Sequence, residues 1–168
     1  MQITSKYIPQ KVNFSAVFTD FKQLTKVGLS LSVVFSSLAG YLLAVEKIQI
    51  SILILLAIGG YLMVGASNAF NQIIEKDTDA LMKRTMNRPL PTGRMHVSMA
   101  MVIAVSFTVL GLAILYSINP KSALFGAISI FLYTSVYTPL KSITPLAVFV
   151  GAIPVSYTHL TLPTIYSV

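Results

Sequence analysis

Uncharged stretches alternate with short charged ones along this chain, and their lengths predict the elements. Lys26 and Glu46 enclose 19 uncharged residues, Lys47 and Glu75 enclose 27, Arg94 and Lys121 enclose 26, and Lys121 and Lys141 enclose another 19. After Lys141 the remaining 27 residues carry no charge. About 20 helical residues cross a bilayer core of about 30 Å. The pattern therefore predicts an all-α, polytopic transmembrane helix bundle with four complete spans, at roughly 27–45, 51–73, 96–116 and 122–138, and the start of a fifth near Thr144. Ahead of the first span, Phe14, Val17, Phe18, Phe21 and Leu24 recur at helical spacing, with Asp20 and Lys22 between them. That reads as a short amphipathic helix on the membrane surface; a disordered basic tail is the alternative. The apolar run comes late and is long, which is unlike a cleaved signal peptide.

Composition agrees. The chain is 55% hydrophobic and 10% charged, against about 25% charged in a soluble domain. It lacks cysteine, so disulfides and thiolate metal sites are excluded. With the N-terminus inside, ten basic residues fall on the inner side (Lys6, Lys11, Lys22, Lys26, Lys76, Lys83, Arg84, Arg88, Arg94 and Lys141), and only Lys47 and Lys121 fall outside. This positive-inside bias accounts for the net charge of +7 as orientation and argues against a nucleic-acid face. The expected location is a bacterial inner membrane, with the N-terminus cytoplasmic. Neither an internal repeat nor a flexible linker divides the spans. The expected organisation is a basic amphipathic segment at 1–26 and one membrane domain at 27–154.

Three of the five acids crowd the end of the second span: Glu75, Asp77 and Asp79. Carboxylates near lipid are costly and usually mark an ion or substrate site. Asn71, Glu75 and Asp79 are spaced i, i+4, i+8, so a helix sets them on nearly one face, whereas Asp77 points away from it. Oxygen ligands without His or Cys suit Mg²⁺, which takes one or two carboxylates plus substrate phosphate. The turn-rich stretch Lys83-Arg84-Thr85-Met86-Asn87-Arg88-Pro89-Leu90-Pro91-Thr92-Gly93-Arg94 follows. Its prolines and glycine make a stiff loop, and its arginines fork onto phosphate oxygens. Acids for a metal beside arginines for an anion suit a diphosphate–Mg²⁺ complex. A solvated acidic turn in an ordinary basic cytoplasmic loop is the plainer reading of each half alone.

These residues resemble the UbiA-type intramembrane prenyltransferases. That family has N-x-x-x-D-x-x-x-D followed by R-T-x-x-R-P-L-x-x-G. The match here runs through Asn71, Glu75 and Asp79, then Arg84, Thr85, Arg88, Pro89, Leu90 and Gly93. Glu75 departs from the commoner Asp but keeps the carboxylate. Residues 79–91 and Leu38-Ala39-Gly40-Tyr41-Leu42-Leu43-Ala44 are most similar to the branch that farnesylates haem. Tyr137-Thr138-Pro139-Leu140-Lys141 resembles the family's Y-T-x-x-x-K loop; an interfacial aromatic with a snorkelling lysine is its plainer reading. Gly151-Ala152-Ile153-Pro154 resembles the G-A-x-P turn, or serves helix packing.

The resemblance implies Mg²⁺ held by Asn71, Glu75 and Asp79, and a diphosphate bound by Asn71, Lys83, Arg84, Arg88 and Lys141. It implies catalytic roles for Arg84, Arg88, Tyr137 and Lys141. The implied reaction is farnesyl transfer from farnesyl diphosphate to a vinyl group of haem B, with an aromatic quinone precursor such as 4-hydroxybenzoate as the alternative acceptor. Two departures go with it. Lys26-Val27-Gly28 stands where the branch often has Lys-Pro-Arg. The family's second Asp-rich motif is missing, since Asp79 is the last acid. The expectation is a truncated N-terminal half, inactive alone, with 155–168 a non-native tail. Within that frame a non-catalytic membrane fragment is the rival reading, and His96 and His159 are set aside as ligands.

Overall fold

The computed structural model describes residues 14–138. The chain runs through α1 (Phe14–Thr25), α2 (Val27–Ala44), α3 (Ile50–Ile74), the short α4 (Lys76–Leu81), α5 (Val97–Ile118) and α6 (Pro120–Phe131), which passes into a π-helical segment, Leu132–Tyr137. All elements among the described residues are helical.

Helices α2, α3 and α5 are 18, 25 and 22 residues long and apolar enough to cross a membrane. At about 1.5 Å per residue each spans 27 Å or more. Their outer faces carry exposed Phe35, Leu43, Ile50, Ile54, Val102 and Val109, a surface that suits lipid and not water. The chain is an integral membrane protein. The fourth expected span, at 122–138, is helical throughout, with a change of helix type inside it. Helix α6 is 12 residues long, and the π segment takes over at Leu132. The fifth expected span, Lys141, the 151–154 turn and the 155–168 tail lie outside the described residues.

Helix α3 is central, with α2, α5 and α1 packed against it. It lies antiparallel to α5, as the register of their glycines shows: a Cβ on Gly59 would meet Ile114 at 3.1 Å, one on Gly65 would meet Phe107 at 3.2 Å, and one on Gly111 would meet Met63 at 3.0 Å. Ala66, Ala69, Ala100 and Ala104 are buried. Lipid tails are as apolar as leucine, so helices in a bilayer associate through such close backbone approach. We expect Gly111→Leu to overpack this seam and lower stability by roughly 1–3 kcal/mol, read as an earlier thermal unfolding midpoint in detergent. Gly28→Ala, where an added Cβ meets nothing within 4 Å, serves as the neutral control.

Antiparallel packing sorts the charges. The α2–α3 turn, with Glu46 and Lys47, and the α5–α6 turn, with Lys121, share one end. At the latter turn Asn119 caps α6 by accepting from the Lys121 N–H at 2.8 Å, with Pro120 at the first helical position. Glu75, Asp77, Asp79 and the basic loop lie at the opposite end.

Helix α1 forms as its periodicity predicts, yet it does more than rest on the surface. Leu24 is fully buried, and Asp20, expected among the polar positions, is buried too. Asp20 pairs with Arg94 Nε at 3.1 Å. Phe21 meets Phe107 of α5 edge-on at 5.9 Å. The break between α1 and α2 sits at Lys26, with φ of 48°, a left-handed conformation costly for a non-glycine residue. It frees carbonyls that a continuous helix would satisfy, and α3 supplies donors for them. Gln72 Nε2 donates to the carbonyls of Gln23 and Leu24 at 2.8 and 2.9 Å. Asn68 Nδ2 donates to the Thr25 carbonyl at 3.3 Å, and Ser30 Oγ donates to it at 2.8 Å. Buried backbone acceptors need such partners, which explains two amide side chains in an apolar helix.

Candidate prenyl diphosphate and metal site

Helix α3 ends at Ile74 and α4 begins at Lys76, with Glu75 between them at φ of −92° and ψ of 7°, outside the helical range. The Glu75 N–H donates to the Asn71 carbonyl at 3.0 Å, and the Asp79 N–H donates to the Glu75 carbonyl at 2.7 Å. These i to i+4 bonds carry the helical register across the junction. Asn71, Glu75 and Asp79 therefore share a face, as their spacing predicts. Asn71 is 2% and Asp79 4% exposed, Glu75 is half-buried, and Asp77 is exposed.

The loop that follows is a chain of tight turns. Its N–H groups bond locally: Thr85 and Met86 to the Met82 carbonyl, Arg88 to Thr85, Thr92 to Arg88, Gly93 to Leu90 and Met95 to Pro89. Gly93, at φ of 72°, supplies the left-handed step. Leu90 and Met95 are buried and anchor the loop in a cluster with Leu24, Ala69, Ala100 and Ala104. Arg94 clamps it from outside, donating to the Asn87 carbonyl at 2.9 Å and to Gln23 Oε1 at 3.2 Å, besides its ion pair to Asp20.

This anchoring brings Arg88 onto Asp79, where the two form an ion pair. The buried Thr85 hydroxyl donates to the Asp79 carbonyl at 3.0 Å, closing the loop on the helix. Arg84 and Lys83 are exposed and point to no acid among the described ion pairs. The π segment completes the cluster from α6. Thr138, 2% exposed, donates to Asn71 Oδ1 at 3.3 Å. Asn71 Nδ2 donates to Glu75 Oε2 at 3.0 Å. Tyr137 stacks on Tyr133 with ring centroids 5.1 Å apart. Thr138, Thr85 and Arg94 are the residues that spacing alone did not single out; Thr138 and Thr85 stand inside the quoted motifs, so the signal was present. His96 is exposed and joins none of this. A concavity near the loop, lined by Lys76, Leu90, Gly93, Met95, His96, Val97 and Ser98, includes none of the acidic face.

No three His, Cys, Asp or Glu side chains gather into a metal cage among the described residues. Glu75 and Asp79, the second already paired with Arg88, are oxygen donors of the kind that Mg²⁺ would take. That ion keeps several waters and draws further oxygens from a phosphate.

Comparison with known proteins identifies the family. The UbiA prenyltransferase family matches residues 33–163. The protoheme IX farnesyltransferase of Flavobacterium psychrophilum is 65% identical over 142 residues, covering 83% of this chain and 47% of that protein. That of Christiangramia forsetii is 66% identical over 140 residues, with the same coverage. The chain thus spans about half the length of the curated relatives it matches. Among solved structures, a digeranylgeranylglyceryl phosphate synthase superposes with a TM-score of 0.80 at 19% identity, covering 88% of this chain and 53% of that one. A UbiA homologue from Archaeoglobus fulgidus, bound to DMAPP and Mg²⁺, gives 0.78 at 19% identity, covering 89% and 55%. The helical order, the acidic face with its basic loop, and these matches lead to one conclusion: the chain belongs to the UbiA prenyltransferase family.

Proposed function

We propose that the full-length protein carrying this segment transfers a farnesyl group from farnesyl diphosphate to a vinyl group of haem B, giving haem O. The observation that carries the proposal is the contact of Arg88 with Asp79. It supports a reading in which the acidic face holds a metal and the basic loop an anion, side by side at one end of an apolar bundle. The identity to two protoheme IX farnesyltransferases supports haem as the acceptor.

Glu75 and Asp79, on the face that Asn71 heads, would hold Mg²⁺, which when bound supplies positive charge against the leaving diphosphate. Arg88 stands beside Asp79 and is placed to fork onto phosphate oxygens. Arg84 and Lys83, exposed on the same loop, add charge at the mouth, and Lys141 follows the π segment in sequence. Together they stabilise the charge that develops as the carbon–oxygen bond breaks. The allylic carbon becomes cation-like as diphosphate leaves, the vinyl carbon attacks it, and water adds to the carbocation left on the former vinyl group with loss of a proton, which supplies the hydroxyl of haem O. Tyr137, at the same end of the bundle and stacked on Tyr133, would contribute its hydroxyl to the site. The apolar faces of α2, α3 and α5 suit an isoprenoid tail and exclude water. The positive-inside bias supports a cytoplasmic site.

The test supplies full-length protein in lipid with farnesyl diphosphate, Mg²⁺, and either haem B or 4-hydroxybenzoate, and identifies products by mass. Haem O is the expected product. Prenylated aromatic acid without haem O would overturn the assignment of the acceptor.

A further inference from the structure

We propose that Asn71 is a positioning residue and not a metal ligand: Thr138 orients its carboxamide, and the carboxamide orients Glu75. The inference rests on the reading that Glu75 and Asp79 hold Mg²⁺ against a diphosphate.

The argument begins with what an amide can offer. An ionised carboxylate only accepts hydrogen bonds, and a carboxamide has one donating and one accepting end. Facing Glu75 Oε2 at 3.0 Å, Asn71 must present Nδ2. Its oxygen is thereby turned away from the carboxylate, and it takes the Thr138 hydroxyl at 3.3 Å. That hydroxyl proton is shared with the Tyr133 carbonyl at 2.7 Å. To give its oxygen to an ion held by Glu75, Asn71 would have to turn over. It would then lose its bond to Glu75 and set its oxygen beside the carboxylate. Both Asn71 and Thr138 are 2% exposed, so water is poorly placed to replace the lost partners.

The π turn makes the contact. The Thr138 N–H reaches the Tyr133 carbonyl five residues back, where an α-helix would reach four. Each such step shifts the side chains beyond it around the helix axis, and π turns are frequent at functional sites. Here the shift delivers Thr138 to a residue 67 positions earlier. The arrangement also accounts for Glu75 where the family pattern more often has Asp. Glu has one more torsion to immobilise, and a donor one helical turn back restrains it.

The experiment uses full-length protein and measures Mn²⁺ binding by electron paramagnetic resonance in the presence of inorganic pyrophosphate, with no turnover required. Thr138→Val keeps the shape and removes the hydroxyl. It should weaken Mn²⁺ binding about tenfold, because it frees the Asn71 carboxamide, the outer partner of the ligand Glu75. Thr138→Ser should bind within about twofold of the parent, because the hydroxyl remains. Asn71→Asp separates the two roles. It retains an oxygen but loses the donor and sets a second carboxylate against Glu75, so binding should weaken tenfold or more. Equal or tighter binding by Asn71→Asp, or unchanged binding by Thr138→Val, overturns the inference. Absence of pyrophosphate-dependent Mn²⁺ binding in the parent overturns the metal reading beneath it. If Thr138→Val does not fold, a Thr138→Ser protein that binds as weakly as Asp79→Ala also overturns the hydroxyl's role.

Discussion

Replacing Asp79 by Ala is expected to abolish prenyl transfer in the full-length protein while leaving membrane insertion intact. Asp79 is the most buried carboxylate of the site, 4% exposed, and it faces the arginine that would meet the diphosphate. Loss of a single preorganised donor from a charge-stabilising site costs about 10²–10³ in rate. A carboxylate that helps hold the cation contributes at least as much, so a fall of a thousand-fold or more in product formation is expected. Insertion depends on the apolar lengths of α2, α3 and α5, which the substitution leaves alone. It also strips Arg88 of its partner, and an uncompensated charge in a half-buried position destabilises the fold. The double variant Asp79→Ala/Arg88→Ala addresses that: it should regain thermal stability relative to Asp79→Ala and stay inactive. Near-normal turnover by Asp79→Ala would remove it from the metal site.

Arg88→Lys is the second large effect. Lysine keeps the charge but not the planar fork, and such a change is not conservative where two oxygens are gripped together. Arg88 sits on a stiff stretch: its N–H donates to the Thr85 carbonyl at 3.0 Å, and its own carbonyl accepts from the Thr92 hydroxyl at 2.8 Å. The backbone therefore cannot adjust to a differently shaped head group. A loss of about a hundred-fold in kcat/KM for farnesyl diphosphate is expected, within the range for one stabilising donor. Arg84→Lys, on an exposed side chain without a described acidic partner, should cost less than tenfold. Equal losses at the two positions would contradict the assignment of Arg88 as the principal anion contact.

Much of the architecture was legible along the chain. Residues 27–45, 51–73 and 96–116 needed only length and hydropathy, because any long apolar segment in a bilayer must satisfy its backbone internally. The fourth segment was legible as apolar but not as a π turn. Nothing in Leu132-Tyr133-Thr134-Ser135-Val136-Tyr137 marks where i to i+4 bonding gives way. Helix α1 is legible as amphipathic, but its polar face is not all solvent-facing. Asp20 looked like a solvent-facing acid and is buried against Arg94, because the partner lies 74 positions along. Asn68 and Gln72 carry no signal of their role along the chain. They serve carbonyls released by the Lys26 break, which is itself invisible without the turn it makes.

What the residues determined on their own is the face of Asn71, Glu75 and Asp79. An α-helix has a fixed period set by local backbone bonding, so side chains four apart align wherever the helix runs, and here the register survives even the junction at Glu75. What only the tertiary structure decided is how that face is used. Arg88 on Asp79, Arg94 on Asp20 and Thr138 on Asn71 join segments that neither periodicity nor spacing relates. Each contact depends on how close glycine- and alanine-lined helices approach and on how a buried loop is seated. Hydrogen bonds between distant segments follow from packing, and packing is a property of the whole bundle.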